Sequence, residues 1–276
     1  MAKGKPAAES TLIVNPDAKK IRRRLIVGTP TLGNVRMEWV LGRYSQIIPC
    51  NWSMMQTTEY IATVAPLGYL VADAQNLIVR TAVEGDFEWL LFIEDDTIPP
   101  PDAFLKLNEY MRSEEFPVVS GLYYTKSHPA EPLIYREMGF SYYDDFAFGD
   151  KVWASGIPTG FFLCSMKVMR LMYEESEEYL IGDQRVRRVF EQPERMWYDP
   201  QMQAIQSETG TSDLAWCKRV RENNYLGRAG WTKIARKKYP FLVDTSILAR
   251  HISQDGQMFP SRDVIPNMRK TPRRSA

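Results

Sequence analysis

The sequence predicts an α/β fold built on a sheet with parallel members, and three observations carry that reading. Short apolar runs alternate with stretches of helical period along most of the chain. One run, WLLFI at residues 89–93, is continuous rather than alternating, as a strand covered on both faces must be. The 276 residues are 44% hydrophobic and 25% charged, a globular composition that can fill one sizeable core, with disorder expected only at the ends.

Taken in order, Leu25, Ile26 and Val27 form a buried strand that Gly28 and Pro30 stop and open into a loop, and a helical stretch follows. In GYLVADAQNLIVRTAVEG, Leu70, Ala74, Leu77, Ile78 and Ala82 share one helix face until Gly85. WLLFI then runs into Glu94, Asp95 and Asp96, after which Pro99 to Pro101 and Asp102 start a helix with Phe104, Leu107 and Met111 on one side. FPVVSGLYYT is a further strand, and VWASGIPTGFFLCSMKVMRLM a loop and strand that feed a helix. Residues 172–207 are polar, broken by Pro193 and Pro200, and are expected to be variable or mobile. TSDLAWCKRVRENNY reads as a helix capped by Thr211 or Ser212, and PFLVDTSILARHI as a late strand leading to His251.

This pattern assigns residues 1–22 to a flexible basic arm, 23–265 to a single domain and 266–276 to a basic tail. A net charge of +1 excludes a surface that is basic throughout, but cations crowd the termini: Lys19, Lys20, Arg22, Arg23 and Arg24 at one end, Arg269, Lys270, Arg273 and Arg274 at the other. These are solvated tails, or they attract a polyanionic acceptor or membrane surface. Cys50, Cys164 and Cys217 suggest neither a zinc site nor a disulfide framework, and no apolar run is long enough for a signal peptide or a membrane span. A soluble, cytoplasmic protein is expected.

In open α/β sheets ligands bind beyond the carboxyl ends of the strands, where Glu94, Asp95 and Asp96 stand. Three neighbouring carboxylates raise one another's pKa when buried together, a cost that a divalent cation relieves. In an extended conformation Glu94 and Asp96 would face one way and Asp95 the other. Mg²⁺ or Mn²⁺ on one or two carboxylates with substrate phosphates suggests a nucleotide diphosphate; capping of the next helix, or a solvated turn, is the plainer reading.

The segment AQNLIVRTAVEGDFEWLLFIEDDTIPPPDAF resembles the nucleotide-binding half of glycosyltransferases of the GT-A fold, whose D-x-D motif follows a buried strand. That resemblance implies a Rossmann-like, mixed and mostly parallel sheet flanked by helices, with a nucleotide-binding half at 23–125 and an acceptor-binding half at 126–265. It implies that Glu94 and Asp95 face ribose or metal, that Asp96 is the principal ligand of Mn²⁺ or Mg²⁺, and that Thr29, Pro30 and Thr31 meet the base. Glu94 stands where the family usually has Asp. DAQN resembles a segment that often reads A-R-N; Gln75 replaces the arginine, leaving Asp73 and Asn76 as candidate donor contacts.

SGIPTGFFLCSM resembles the glycine-rich loop on the acceptor side, assigning Gly156, Thr159 and Gly160 there; in such a loop glycines serve turns as well as ligands. GTSDLAWCKRVRENNY resembles the family's E-D motif with Ser212 in place of Glu, so Asp213 is the candidate general base; an acid in a helix's first turn also favours the helix dipole. VDTSILARHI resembles the strand whose histidine completes the metal site, giving His251. His128 reads as a surface-loop residue, and Lys126 beside it could reach a phosphate.

The function so implied is a metal-dependent glycosyltransferase, a hexosyltransferase in particular, that moves a sugar from a nucleotide-diphosphate sugar to an acceptor hydroxyl. The acceptor stays open among a glycan, a lipid-linked molecule and a modified nucleic acid. One rival is a nucleotidyltransferase, which would carry a basic glycine-rich loop after the first strand; GTPTLGN has no Lys or Arg before Arg36. The other is a non-catalytic nucleotide- or glycan-binding protein that keeps the fold.

Overall fold

The computed structural model describes residues 22–49, 58–137 and 141–264. Residues 1–21, the tail 266–276 and Cys50 lie outside them. The first half runs β1 (Arg22–Gly28), α1 (Met37–Tyr44), β2 (Thr58–Val64), α2 (Val71–Glu84), β3 (Trp89–Ile93), β4 (Thr97–Ile98), α3 (Ala103–Ser113) and β5 (Val118–Leu122). Then come β6 (Tyr135–Glu137), β7 (Ser141–Tyr142), β8 (Lys151–Ala154), β9 (Phe161–Ser165), α4 (Met166–Glu175), β10 (Glu178–Ile181), β11 (Gln184–Arg187), β12 (Glu194–Asp199) and β13 (Ala204–Thr209). Helices α5 (Ser212–Glu222), α6 (Tyr225–Arg228) and α7 (Thr232–Ala235) and strands β14 (Phe241–Leu248), β15 (Arg250–Ile252) and β16 (Met258–Phe259) close the described chain.

Seven strands form the central sheet in the order β2-β1-β3-β9-β5-β14-β8. Five run in one direction, while β9 is antiparallel to both its neighbours, β3 and β5, and β8 is antiparallel to β14 at the edge. This is a Rossmann-like α/β fold with a mixed, mostly parallel sheet.

Alternation along the strands divides the core between the two faces. Ile26, Leu90 and Phe92 join Ile78 and Ala82 of α2, Met169 of α4 and Trp216 of α5 in one buried cluster. Leu25, Val27, Trp89, Leu91 and Ile93 join Trp39 of α1 and Phe104, Leu107 and Met111 of α3 in the other. A strand covered on both faces has no solvent side, which explains why WLLFI is apolar without a break.

Three expectations change. Leu70 is not on the buried face of α2: it precedes the helix as its N-cap residue and is 76% exposed. Arg24 is not part of a solvated basic run; it lies in β1, pairs with Glu88 and donates to the Met111 carbonyl. The polar stretch expected to be variable or mobile instead continues α4 to Glu175 and then forms two antiparallel hairpins, β10–β11 and β12–β13. A hairpin with one face in water needs few apolar residues, so its polarity hid it, while the two-residue turn Gly182-Asp183 was its local signal. Among the described residues no helix is long and apolar enough to cross a membrane.

Phe92 packs against Phe162 and Phe190 with ring centroids 6.1 and 5.5 Å away. Phe92→Ala is expected to cost about 3–5 kcal/mol of stability, measured as a fall in the urea midpoint at unchanged slope.

Candidate functional site

Strand β3 ends at Ile93, and the three acids lie in a tight turn rather than in the extended chain that would alternate them. The Thr97 amide donates to the Glu94 carbonyl at 3.0 Å, closing the turn. Its backbone is held from outside as well: Trp39 Nε1 donates to the Glu94 carbonyl at 2.7 Å, the Glu94 amide to the Gly160 carbonyl at 3.0 Å, and the Ile252 amide to the Asp96 carbonyl at 2.8 Å. Each carboxyl group consequently meets different neighbours.

Asp95 accepts hydrogen bonds from the Thr31 hydroxyl and the Leu32 amide, while burial pushes its pKa up. Asp95 and Asp96 open onto a cleft of about 380 Å³ walled also by Pro30, Thr31, Tyr69 and Lys126. The volume falls within the usual range of small-molecule sites. Thr29, expected beside the base, lies beneath this wall at 2% exposure, and its hydroxyl has no partner among the described residues.

Asp96 stands between two cationic or basic groups. Lys126 Nζ lies 2.5 Å from Oδ2, and His251 Nε2 lies 3.8 Å from Oδ1. Burial pushes His251 down to about 4, so its ring is neutral at physiological pH despite the aspartate. Its partners set the tautomer: Nδ1 donates to the Tyr124 carbonyl at 2.5 Å, and Nε2 accepts from the Tyr123 hydroxyl, which in turn accepts from Thr97 Oγ1 at 2.8 Å. An imidazole whose Nδ1–H is fixed on a carbonyl keeps its one lone pair on Nε2, and here the Tyr123 hydroxyl occupies it, so a metal could bind there only in place of that hydrogen bond.

Glu94 was expected to join this pair as a metal ligand, but among the described residues no group of three or more His, Cys, Asp or Glu side chains is arranged to hold a metal ion. A cation held by Asp96 and His251 would have to displace Lys126 and the Tyr123 hydroxyl and take the rest of its ligands from phosphate oxygens and water. The Lys126 ammonium on Asp96 already stands in for part of that positive charge.

Glu94 turns away from the cleft towards Thr159, whose hydroxyl donates to Oε1 at 3.2 Å. Burial, reinforced by the charges of Asp96 and Asp213, pushes Glu94 up to about 8, so it is a neutral carboxylic acid at pH 7. Asp213, in the first turn of α5, accepts from the Thr211 hydroxyl and from the Leu214 amide at 2.8 Å, while burial pushes its pKa upward. The Thr211 hydroxyl thus serves Asp213 and makes no hydrogen bond as a cap of α5.

Other expected contacts take structural roles. Asn76 is 1% exposed, accepts from the Val189 and Phe190 amides at 3.0 and 2.8 Å, and donates to the Phe190 carbonyl and the Tyr179 hydroxyl at 2.8 and 2.9 Å. Its amide has no group left for a nucleotide. Asp73 accepts from the same Tyr179 hydroxyl at 2.7 Å, so both residues fasten the β10–β11 hairpin to α2. Gln75 is fully buried and donates to Thr159 at 3.0 Å.

Packing within the protein already requires small residues at 156 and 160. A Cβ on Gly156 would lie 2.7 Å from Leu214, and one on Gly160 would lie 2.6 Å from the Tyr123 ring and hydroxyl. Tyr123, Thr97 and Trp39 are the residues that sequence reasoning missed. The one available signal was the pair of tyrosines that ends the apolar run of β5.

No protein-family model matches the chain, and no curated protein matches it. Among solved structures, the crystal structure of A197 from STIV is similar to it with a TM-score of 0.47 and 15% identity, over 91% of this chain and 100% of that one.

The raised Glu94 has a consequence for stability. As pH rises from about 4.5 to about 8 the unfolded chain releases this proton and the folded chain keeps it, so Glu94 opposes folding progressively over that window. Glu94→Gln lacks the titration. Its stability relative to the wild type is expected to climb between those pH values and level off above them, measured by urea denaturation across pH 4–9.

Proposed function

We propose that this protein is a metal-dependent glycosyltransferase that moves a sugar from a nucleotide-diphosphate sugar to an acceptor hydroxyl. The supporting observation is the division of carboxyl groups at one sheet edge: Asp95 and Asp96 on an open cleft, Asp96 facing a neutral His251, and Glu94 protonated where it feels the charge of Asp213.

Asp96 and His251 would hold Mn²⁺ or Mg²⁺ together with the donor's phosphate oxygens. When bound, the metal neutralises charge developing on the leaving diphosphate. Lys126, on the same cleft and paired with Asp96, adds a positive charge at that end. Asp95, steadied by Thr31 and Leu32, offers a carboxylate to a ribose hydroxyl, with Pro30 and Thr31 beside the base.

Asp213 is the general base. Its upward shift moves it closer to neutral pH, where a carboxylate takes a hydroxyl proton more effectively. Glu94 supports that role by remaining protonated, since two ionised carboxylates in one enclosed field would each oppose the other. A reducing, cytoplasmic setting accords with Cys164 and Cys217 as free buried thiols.

The Lys126–Asp96 ion pair also favours a second reading, a nucleotide-binding protein without turnover in which the lysine meets the phosphates. A panel of nucleotide sugars, titrated calorimetrically with and without Mn²⁺, separates the two. Metal-dependent binding that Asp96→Ala abolishes is expected, followed by release of the nucleotide; metal-independent binding without release sinks the transferase reading.

Asp213→Asn is expected to lower kcat by about 10²–10⁴-fold with donor affinity unchanged. In the wild type the acid limb of kcat against pH should lie above the ordinary carboxylate range, because a base with a raised pKa loses activity earlier as pH falls. A limb at or below that range would remove Asp213 from the role.

A further inference from the structure

A second concentration of charge, this one positive, lies at the opposite end of the parallel strands from the acids. The acid turn follows the last residue of β3, whereas Pro240 precedes the first residue of β14, a strand that runs the same way. Residues 217–240, which lead up to β14, hold eight lysines and arginines against one acid, Glu222, in a chain whose net charge is only +1. The rest of the molecule therefore carries an excess of acids, and its field steers anions to this face.

Four of these cations converge. Lys218 and Arg221, three residues apart on one side of α5, line a concavity of about 600 Å³ together with Lys237 and Lys238, which follow α7. Glu222 is the one acid in its wall and lies 3.9 Å from Lys218, so a single carboxylate answers four cations. The ammonium groups of Lys237 and Lys238 are held over the rings of Trp153 and Tyr239, 4.2 and 5.0 Å from the centroids. A cation in the last turn of α5 favours the helix dipole, which accounts for Arg219 and Arg221. Arg219 is also committed within the protein, to the Arg188 carbonyl and the Ser176 hydroxyl. The dipole does not account for two lysines brought against α5 from another element, where like charges oppose one another. An anion in the concavity reverses that cost.

Two observations define the anion. Four cations from two separate elements exceed what one carboxylate needs and suit a chain of phosphates. Among the described residues, no large apolar side chain from 206 to 263 is exposed, so this face has nothing to insert among lipid chains and no apolar centre for a protein partner. A nucleic-acid backbone requires neither, because charge alone carries its binding.

We propose that this face binds the phosphate backbone of a nucleic acid, with Lys218, Arg221, Lys237 and Lys238 contacting its phosphates. The site is separate from the cleft at Asp95 and Asp96 and does not rest on the glycosyltransferase reading.

The test uses the full chain, so that the basic termini are present in every sample. Fluorescence anisotropy follows binding of a labelled oligonucleotide, single-stranded and as a duplex, over a range of NaCl concentrations. Arg221→Gln combined with Lys238→Gln should weaken binding about tenfold and reduce the slope of log Kd against log salt by about two, close to one for each cation lost. The urea midpoint of this double variant should be no lower than that of the wild type, since it removes repulsion; Lys218→Gln combined with Lys237→Gln should repeat the loss of binding. Failure of both oligonucleotides to bind overturns the proposal. Unchanged affinity and slope in both double variants also overturn it, by assigning the binding to the termini. So does binding of phosphatidylserine vesicles or polyglutamate that needs these cations while the oligonucleotides do not bind. Nucleotide sugar with Mn²⁺ should leave oligonucleotide binding unchanged; competition would place the nucleic acid in the cleft and sink the separate site.

Discussion

Three carboxyl groups on consecutive residues cannot occupy one poorly solvated pocket in their charged forms, and the turn after β3 is arranged around that constraint. Each group finds a separate resolution: a hydroxyl and an amide for Asp95, a lysine and a neutral imidazole for Asp96, and retention of the proton for Glu94. The surrounding residues follow from these needs. Trp39, Gly160 and Ile252 fix the turn's backbone so that the carboxyl groups diverge, and Tyr123 and Thr97 keep His251 oriented behind Asp96. Loss of the turn would return Glu94 and Asp96 to a shared face, where their repulsion would oppose folding.

The same constraint separates chemical roles without separating the residues in sequence. Glu94 and Asp96 differ by two positions, yet Glu94 is buried against Thr159 and keeps its proton, while Asp96 lies beside an ammonium. Environments that drive neighbouring groups to opposite protonation states are a common way to place an acid, a base and a cation site within one cleft. Asp213 extends this arrangement across the sheet edge, since its charge is one of the causes that keep Glu94 neutral.

The fold was legible where burial dictates composition. WLLFI, the α2 face and the Phe104-Leu107-Met111 stripe declared themselves because a sheet covered on both faces leaves periodic or unbroken apolar signals. The hairpins did not: β10–β11 is tied to α2 through Asn76, Asp73 and Tyr179, contacts across about a hundred residues that no local pattern records, and β12–β13 leaves Met196, Tyr198 and Ile205 exposed. Within the site, the acids and their position at the strand's end were visible, but the direction of each side chain was not. An extended chain and a turn read the same in three letters, and only the hydrogen bond from Thr97 to Glu94 distinguishes them. Glycines are ambiguous in sequence for the same reason, since Gly156 and Gly160 make room for Leu214 and Tyr123, neighbours that no local pattern names.

The anchors of the acid turn come from residues 39, 160 and 252, close to the two ends and the middle of the described chain. Contacts so distant in sequence form late, after the loops between them have closed. During synthesis the cleft beside Asp95 and Asp96 would therefore be absent until the strand carrying His251 had emerged and docked, and a chain cut short before that strand would carry the EDD sequence without the cleft. The cleft's own presence is in this sense a report that the whole sheet has assembled.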